Sequence, residues 1–444
     1  MKNLFKKLAD YPTAIVALIL ILFLLGVSVY AVVTIPYEKA ILLWRGGEEV
    51  WYANPRLAAP EWVNWFSDKK RPVSFSMKMD NPGVTKVVDT DESGSSEIVI
   101  TYTFDYSYDY FPQEMMIYFT PTFTTKGPFA DAVWITPDGR KININNFALD
   151  SKTTYRFTQD ARLQRLLKNQ SAMEGLFRDP AQETATPLKG TYQLVINAYT
   201  FETGSSVDAE LVMHGTLAGW AGTDHLRRDL GVALLWGTPI ALAFGLLAAL
   251  GTTVTTMVIA AIGAWYRGWI DGLIQRVTEI NLVLPFLPIL LMVGTFYSRS
   301  IWVILGATIL LNIFSAGIKT NRAIFLQIKE APFIEAARTY NTSDRRIILR
   351  YLTPRLIPTL VPQLVTLVPT YVFIEASLAV LGLGDPNLPT WGKVINDAFT
   401  NSAHYQGLYY WMLEPAIMLV ITGLAFAMLG FSLDRIFNPR LRQV

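Results

Sequence analysis

The chain has 444 residues, of which 51% are hydrophobic and only 17% charged. A soluble domain carries about a quarter charged residues, so this composition belongs to a membrane protein. The net charge of +2 gives no basis for nucleic-acid binding, and the absence of cysteine excludes disulfide frameworks and thiolate metal sites.

Lys2, Lys6 and Lys7 precede an apolar run from Thr13 to Ile35. A cleaved signal peptide has a shorter apolar core of roughly 7–15 residues that ends in a small-residue cleavage site. This run is longer and ends in Ile35-Pro36-Tyr37, which predicts a retained transmembrane helix with its amino end in the cytoplasm.

From Pro36 to about Arg228 the character changes, with 20 Lys and Arg against 24 Asp and Glu and many aromatics and turn residues. Period-2 alternation predicts strands over Glu97–Tyr108, Met115–Thr122, Ala132–Thr136, Gly190–Phe201 and Ala209–Leu217, with a turn at Pro137-Asp138-Gly139. Asp160–Phe177 reads as helical, with Leu163, Leu166 and Leu167 on one face. The expectation is a mainly-β, sandwich-like domain inserted over residues 36–221. Its alternating aromatics, Tyr102, Phe104, Tyr106, Tyr108 and Tyr110, are expected to pack its core.

Beyond Arg228 the apolar runs are Gly231–Gly263, Ile280–Tyr297, Ile301–Ile318, Leu356–Leu383 and Trp411–Leu433. A helix needs about 20 apolar residues to cross the bilayer core, so with the first run these predict six spans. Short-loop cations set the orientation. An inside amino end places 16 Lys and Arg on the cytoplasmic side, eight of them between Lys319 and Arg355, against Arg299 and Lys393 outside. The β domain is then extracytoplasmic, both termini are cytoplasmic, and the stretch Ala331–Pro354 faces the cytoplasm.

That stretch reads as two short helices meeting at an elbow. Pro332 suits a first helical turn, where its missing N–H has no partner to lose. Glu335 complements the helix dipole there, and Ala336 and Ala337 lack bulk. Asn341 tolerates the left-handed conformation that ends many helices. Ser343 is placed to cap the second helix, followed by Asp344. The chain has no GxxxxGK[ST] sequence, so energy for movement has to come from another protein.

Glu335-Ala336-Ala337, Asn341, Ser343-Asp344, Ile347 and Pro354 together resemble the EAA signature of ABC-importer permeases. In that family the loop docks into a groove of the ATPase subunit. Asn341 stands where the family usually has Gly, Tyr351 where it often has His, and Arg355 where Asn is frequent. Further matches resemble the dipeptide/oligopeptide (and nickel) C-type permeases. They are Gly222-Thr223-Asp224-His225-Leu226-Arg227-Arg228-Asp229 with Arg227 at an expected Gly, Tyr266 to Asp271 with Arg276, Glu375-Ala376-Ser377-Leu378, Leu381-Gly382-Leu383-Gly384 and Pro389-Thr390-Trp391-Gly392. They run in family order over roughly residues 222–444, and the insert is the main departure.

The resemblance implies an all-α permease core of six transmembrane helices in the plasma membrane, non-catalytic, with no cofactor bound by this chain. Its implied partners are a second permease subunit of B type, two ABC ATPase subunits that hold ATP and Mg, and an extracytoplasmic substrate-binding protein. The implied cargo is di- or oligopeptide, with no nucleic acid involved. A ligand-sensing receptor or channel using the β domain is the competing class, and it leaves the Glu-Ala-Ala elbow unexplained. A secondary transporter would need internal repeats and coupling carboxylates. Glu375, inside the fifth apolar run, is the candidate intramembrane carboxylate. It either lines the translocation path or hydrogen-bonds nearby backbone close to the outer surface. Asp271, Arg276 and Glu279 are expected to form a local ion-pair set.

Overall fold

The computed structural model describes residues 11–92, 94–168 and 170–437. Lys2, Lys6, Lys7, Arg440 and Arg442, which entered the cation count, lie outside the described residues. The chain forms two compact units: Gly46–Gly231, and the chain before and after it.

The first unit is built on nine strands: β1 Phe75–Met77, β2 Val84–Thr90, β3 Ser96–Tyr106, β4 Glu114–Thr122, β5 Phe129–Ile135, β6 Lys141–Ala148, β7 Thr153–Arg156, β8 Gly190–Thr200 and β9 Ser206–His214. They form a four-stranded sheet in the order β1-β9-β4-β7 and a five-stranded sheet in the order β2-β3-β8-β5-β6. Alternation decides the inner faces: Ile98, Ile100 and Tyr102 on β3, and Tyr192, Leu194, Ile196 and Ala198 on β8, share one core with Met115, Ile117 and Phe119 on β4 and Leu211 and Met213 on β9. The Tyr102 hydroxyl donates to the Ala209 carbonyl at 2.6 Å, tying the two sheets together. The five strands read from the sequence are present. Four more are found, and each lacks the signal in its own way: β1 and β7 are short, β2 has little buried surface, and β6 is polar.

The predicted helix over Asp160–Phe177 is two, α1 Ala161–Leu166 and α2 Ala172–Phe177, separated where Lys168 takes φ 57°. Each has a local cause. The Asp160 carboxylate accepts from the Arg162 and Leu163 N–H groups, and the Ser171 hydroxyl accepts from the Glu174 N–H.

The second unit is helical. Four of its helices are long and apolar enough to cross a membrane: Pro12–Thr34, Leu230–Tyr266, the continuous run Asp344–Leu383 and Tyr409–Phe437. Two further pairs, Gly268–Val283 with Phe286–Phe296 and Ile301–Ile313 with Ala316–Lys329, are bent by 80° and 48°. Among the described residues, length and composition thus allow four spans, or up to six when each bent pair counts as one. The first break has a sequence cause, since Leu284-Pro285 is forced extended and Pro288 follows in the next turn. The short helix Tyr37–Arg45 belongs to this unit, with Ala40 buried beside Ala31 and Trp236, and Tyr37 5.7 Å from the Trp236 ring.

Candidate functional site

The elbow opens with the helix Pro332–Thr339, entered at the extended Ala331 with proline in the first turn. Its end is a full Schellman closure: Asn341 N–H donates to the Arg338 carbonyl at 2.8 Å and Thr342 N–H to the Ala337 carbonyl at 3.1 Å. Asn341 takes φ 52°, the left-handed conformation expected of it. Ser343 then occupies the start of the turn Asp344–Ile347, but its hydroxyl makes no capping bond. The predicted side-chain cap is therefore not formed, and the turn is held by the Ile347 N–H to the Ser343 carbonyl.

The π turn Ile348–Leu352 follows, and the helix Thr353–Leu378 continues from it. Pro354 explains the π turn. In a regular helix its ring would press on the carbonyl four residues back, and a widened turn relieves that clash.

One face of the elbow is its anchor. Ile334, Ala337, Ile347 and Leu352 are buried with Ala260, Ala261, Ala264 and Trp265 at the end of Leu230–Tyr266, and with Phe325. Ala337 is 8% exposed. Its small size therefore serves the chain's own packing, and Ala336 is the alanine that remains open. The other face presents Glu335, Ala336, Asp344, Arg345 and Arg346 to solvent, with Tyr340 85% exposed. Two cations brace the edges: the Arg338 guanidinium lies 4.7 Å from the Trp265 ring centre and Arg355 lies 3.8 Å from that of Phe333. Arg355 thus has a local partner of its own in place of the Asn common in the resembling family.

The sequence did not single out Lys329 or Tyr340. Lys329 is buried, and its ammonium donates to the Ala264 and Trp265 carbonyls at 3.0 and 2.6 Å, satisfying the last turn of Leu230–Tyr266. Only tertiary contact reveals that role. Tyr340 had a readable signal, an aromatic ring in a run of charged and polar residues. Asp271 pairs with Arg322 through two hydrogen bonds, one at 2.7 Å. Glu279 takes Arg276 at 3.5 Å and Lys319 at 3.9 Å. Of the expected ion-pair set, Arg276 and Glu279 pair with each other, while Asp271 is drawn instead to Arg322.

Glu375 is not brought to the elbow. It is 7% exposed and hydrogen-bonded to the Thr390 side chain. Thr390 also caps the helix Trp391–Thr400, which approaches so closely that a Cβ on Gly392 would stand 2.6 Å from the Ala376 Cα. Trp391 donates its ring N–H to the Leu234 carbonyl at 3.0 Å. The carboxylate sits in a packed joint against the Thr390 side chain rather than against the nearby backbone expected of it.

The Gly222–Asp229 segment is a tight polar turn. Asp224, fully buried, accepts from the Leu226 and Arg228 N–H groups at 2.9 Å and from the Arg228 Nε at 2.6 Å. Arg227, where the resembling family has Gly, takes φ 65°. Its guanidinium donates to the Asn54 carbonyl at 2.8 Å and meets His214 Nδ1 at 3.3 Å. Asp229 lies half-buried at its end, and desolvation pushes its carboxyl up against the opposing effect of the Gly231 N–H.

The sequence matches the family described as binding-protein-dependent transport system inner membrane component over residues 254–443. It is 28% identical to the dipeptide transport system permease protein DppC of Bacillus subtilis over 293 residues, 65% of this chain and 87% of that one. It is 30% identical to the glutathione transport system permease protein GsiD of Escherichia coli O157:H7, covering 51% of this chain and 74% of the relative. A putative peptide transport system permease protein of Brucella suis is 33% identical, covering 50% of this chain and 73% of the relative.

Proposed function

The chain belongs to the family of binding-protein-dependent transport system inner membrane components, and on that premise we propose that it is one of two permease subunits of an ATP-driven peptide importer, coupled to its ATPases through the elbow Ala331–Pro354. Membership makes it an ABC permease subunit of the inner membrane. The cargo, the coupling residues and the assembly are our reading.

The observation that carries the coupling role is the two-sided elbow. Its apolar side is fixed to the ends of two long helices, and its polar side is free to meet another protein. ATP and Mg bind the partner ATPases. When those close, a push on Glu335, Ala336, Tyr340 and Arg345 passes through Ile334, Ala337 and Ile347 into Leu230–Tyr266, and through the π turn into Thr353–Leu378. A nucleotide cycle shifts a conformation only if it binds the two states differently, and a rigid elbow is a handle for that difference. The permease names of the similar proteins support peptide cargo. The cation balance of the loops supports a cytoplasmic elbow and an extracytoplasmic β unit, where a substrate-binding protein delivers cargo. The packing of Glu375 supports its hydrogen-bonding role over a place on the path.

Ala336→Asp in the assembled complex in proteoliposomes tests the reading. Complex assembly and the helical spectrum stay, while peptide uptake falls at least about tenfold, as loss of about 1.4 kcal/mol or more at a docking surface requires. Normal uptake by this variant, or uptake by the chain with no ATPase subunit, overturns it.

A further inference from the structure

The Gly46–Gly231 unit carries a second surface with no part in this scheme. The 3-10 helix Glu61–Phe66 displays Trp62, with Trp65 81% and Phe66 83% exposed. After Ser67 and Asp68 come Lys69, Lys70 and Arg71, all exposed. The Asn64 side chain fixes the two groups together, donating to the Arg71 carbonyl and accepting from the Arg71 N–H, both at 2.9 Å. Lys70 N–H is held in turn by the Asp109 carboxylate at 2.7 Å, and the Ser67 hydroxyl closes on the Lys69 carbonyl at 2.8 Å. Aromatic rings and cations are therefore presented side by side on a braced loop. Glu61 and Asp68 are the exposed acids of residues 61–71.

The loop's neighbours give its location. Glu61 N–H donates to the Gly219 carbonyl at 2.9 Å, and the Glu61 carboxylate accepts from the Gly219 N–H at 3.0 Å. The next residue, Trp220, is exposed and lies against Gly231, where a Cβ would stand 2.6 Å from the indole nitrogen. Gly231 is in the first turn of Leu230–Tyr266, a helix of membrane-spanning length. At 37 residues this helix is about 55 Å long against a bilayer core of about 30 Å, so its first turn lies at or beyond the lipid–water boundary, and the aromatic loop is bonded, through two residues, to that end of the helix.

We propose that Trp65 and Phe66 insert into the headgroup region of the bilayer that holds this chain, with Lys69, Lys70 and Arg71 on lipid phosphates. Two features select lipid as the occupant: continuity with the membrane-spanning helix, and cations complementary to anionic headgroups. Trp rings with Lys and Arg beside them are the side chains that settle at such an interface. The consequence is a β unit with a lipid contact of its own in addition to its two chain connections.

The chain has no cysteine, so a single introduced thiol can be labelled without background. Phe66→Cys and, as reference, Asp89→Cys on β2 carry a nitroxide in the assembled complex, in nanodiscs of phosphatidylethanolamine with phosphatidylglycerol. Oxygen and a water-soluble nickel chelate then report depth. The label at 66 is expected about 5–10 Å below the headgroup surface, as for an interfacial apolar face, and the label at 89 in water. A second variant carrying Lys69→Glu, Lys70→Glu and Arg71→Glu with Phe66→Cys is expected to lift the label toward water. The proposal is overturned if label 66 is water-exposed in these nanodiscs, or if it becomes shielded only when a soluble binding protein is added. The last outcome would make the loop a protein-docking surface.

Discussion

The elbow and the turn before Leu230–Tyr266 face the same backbone problem and solve it differently. Each needs one residue in the left-handed region, and each uses a residue other than glycine: Asn341 at φ 52° and Arg227 at φ 65°. Asn341 stands exposed at the end of a helix, and its short side chain tolerates the conformation without a distant partner. Arg227 is buried, and its guanidinium is held by the Asn54 carbonyl and His214 within the β unit. The first solution leaves the turn interchangeable with glycine. The second ties the turn to the β unit through Asn54 and His214.

The largest expected effect comes from the centre of that second turn. Asp224→Ala takes the carboxylate from the buried Arg228 guanidinium and from two backbone N–H groups, and breaking such a buried pair costs about 3–5 kcal/mol. The β unit should become protease-sensitive at temperatures the parent survives, while the long helices stay protected. Equal loss of protection in both would show that the two turns are not separately stabilised.

Acid titrates the same contact. Burial first, and then Arg227, push His214 down to about 4 from its ordinary 6.5. Glu114 faces it at 3.9 Å, and Arg156 adds to the downward push. The unfolded chain therefore takes up a proton near pH 6.5, which the folded unit resists until about pH 4. The stability is complete above pH 6.5 and lost as pH falls toward 4, amounting to about 3 kcal/mol at the acid end. Urea midpoints between pH 7 and 4 check this. His214→Gln should flatten that decline, and Arg227→Gly should flatten it in part by removing one of the two main causes. A slope unchanged in both would detach the turn from the acid response.

The contrast also shows what a sequence discloses. Alternation revealed β3, β4, β5, β8 and β9 because each buries one face fully. It missed β2, whose residues are mostly exposed, and β6, where Asn143, Asn145 and Asn146 dilute the pattern. Prolines and the left-handed Asn341 made the elbow's shape readable, since they act on their own backbone. Which alanine faces outward was not readable, because that depends on Trp265 some 70 residues earlier in the chain. The same holds for Arg227: the backbone strain is local, but Asn54 and His214 reach it only through the fold. The bends at Leu284-Pro285 and at Phe314 split two apolar runs that hydropathy alone counts as whole.

The smallest effects separate the two left-handed residues from each other. Asn341→Gly should leave stability within a few tenths of a kcal/mol, since glycine meets the φ requirement, while Asn341→Ala should cost about 1 kcal/mol from the left-handed penalty on a Cβ. At Arg227 the order differs. Arg227→Gly relieves the backbone but leaves the Asn54 carbonyl and His214 without their donor, so it is destabilising, and Arg227→Ala adds about 1 kcal/mol more. The Gly-minus-Ala difference thus measures the backbone term at both sites and should agree between them. The glycine value alone measures the side-chain tie, close to zero at 341 and clearly positive at 227. Thermal midpoints of the four variants decide it. A stabilising Arg227→Gly would mean that the guanidinium contacts contribute nothing, and that the arginine is merely tolerated in a turn that glycine suits better.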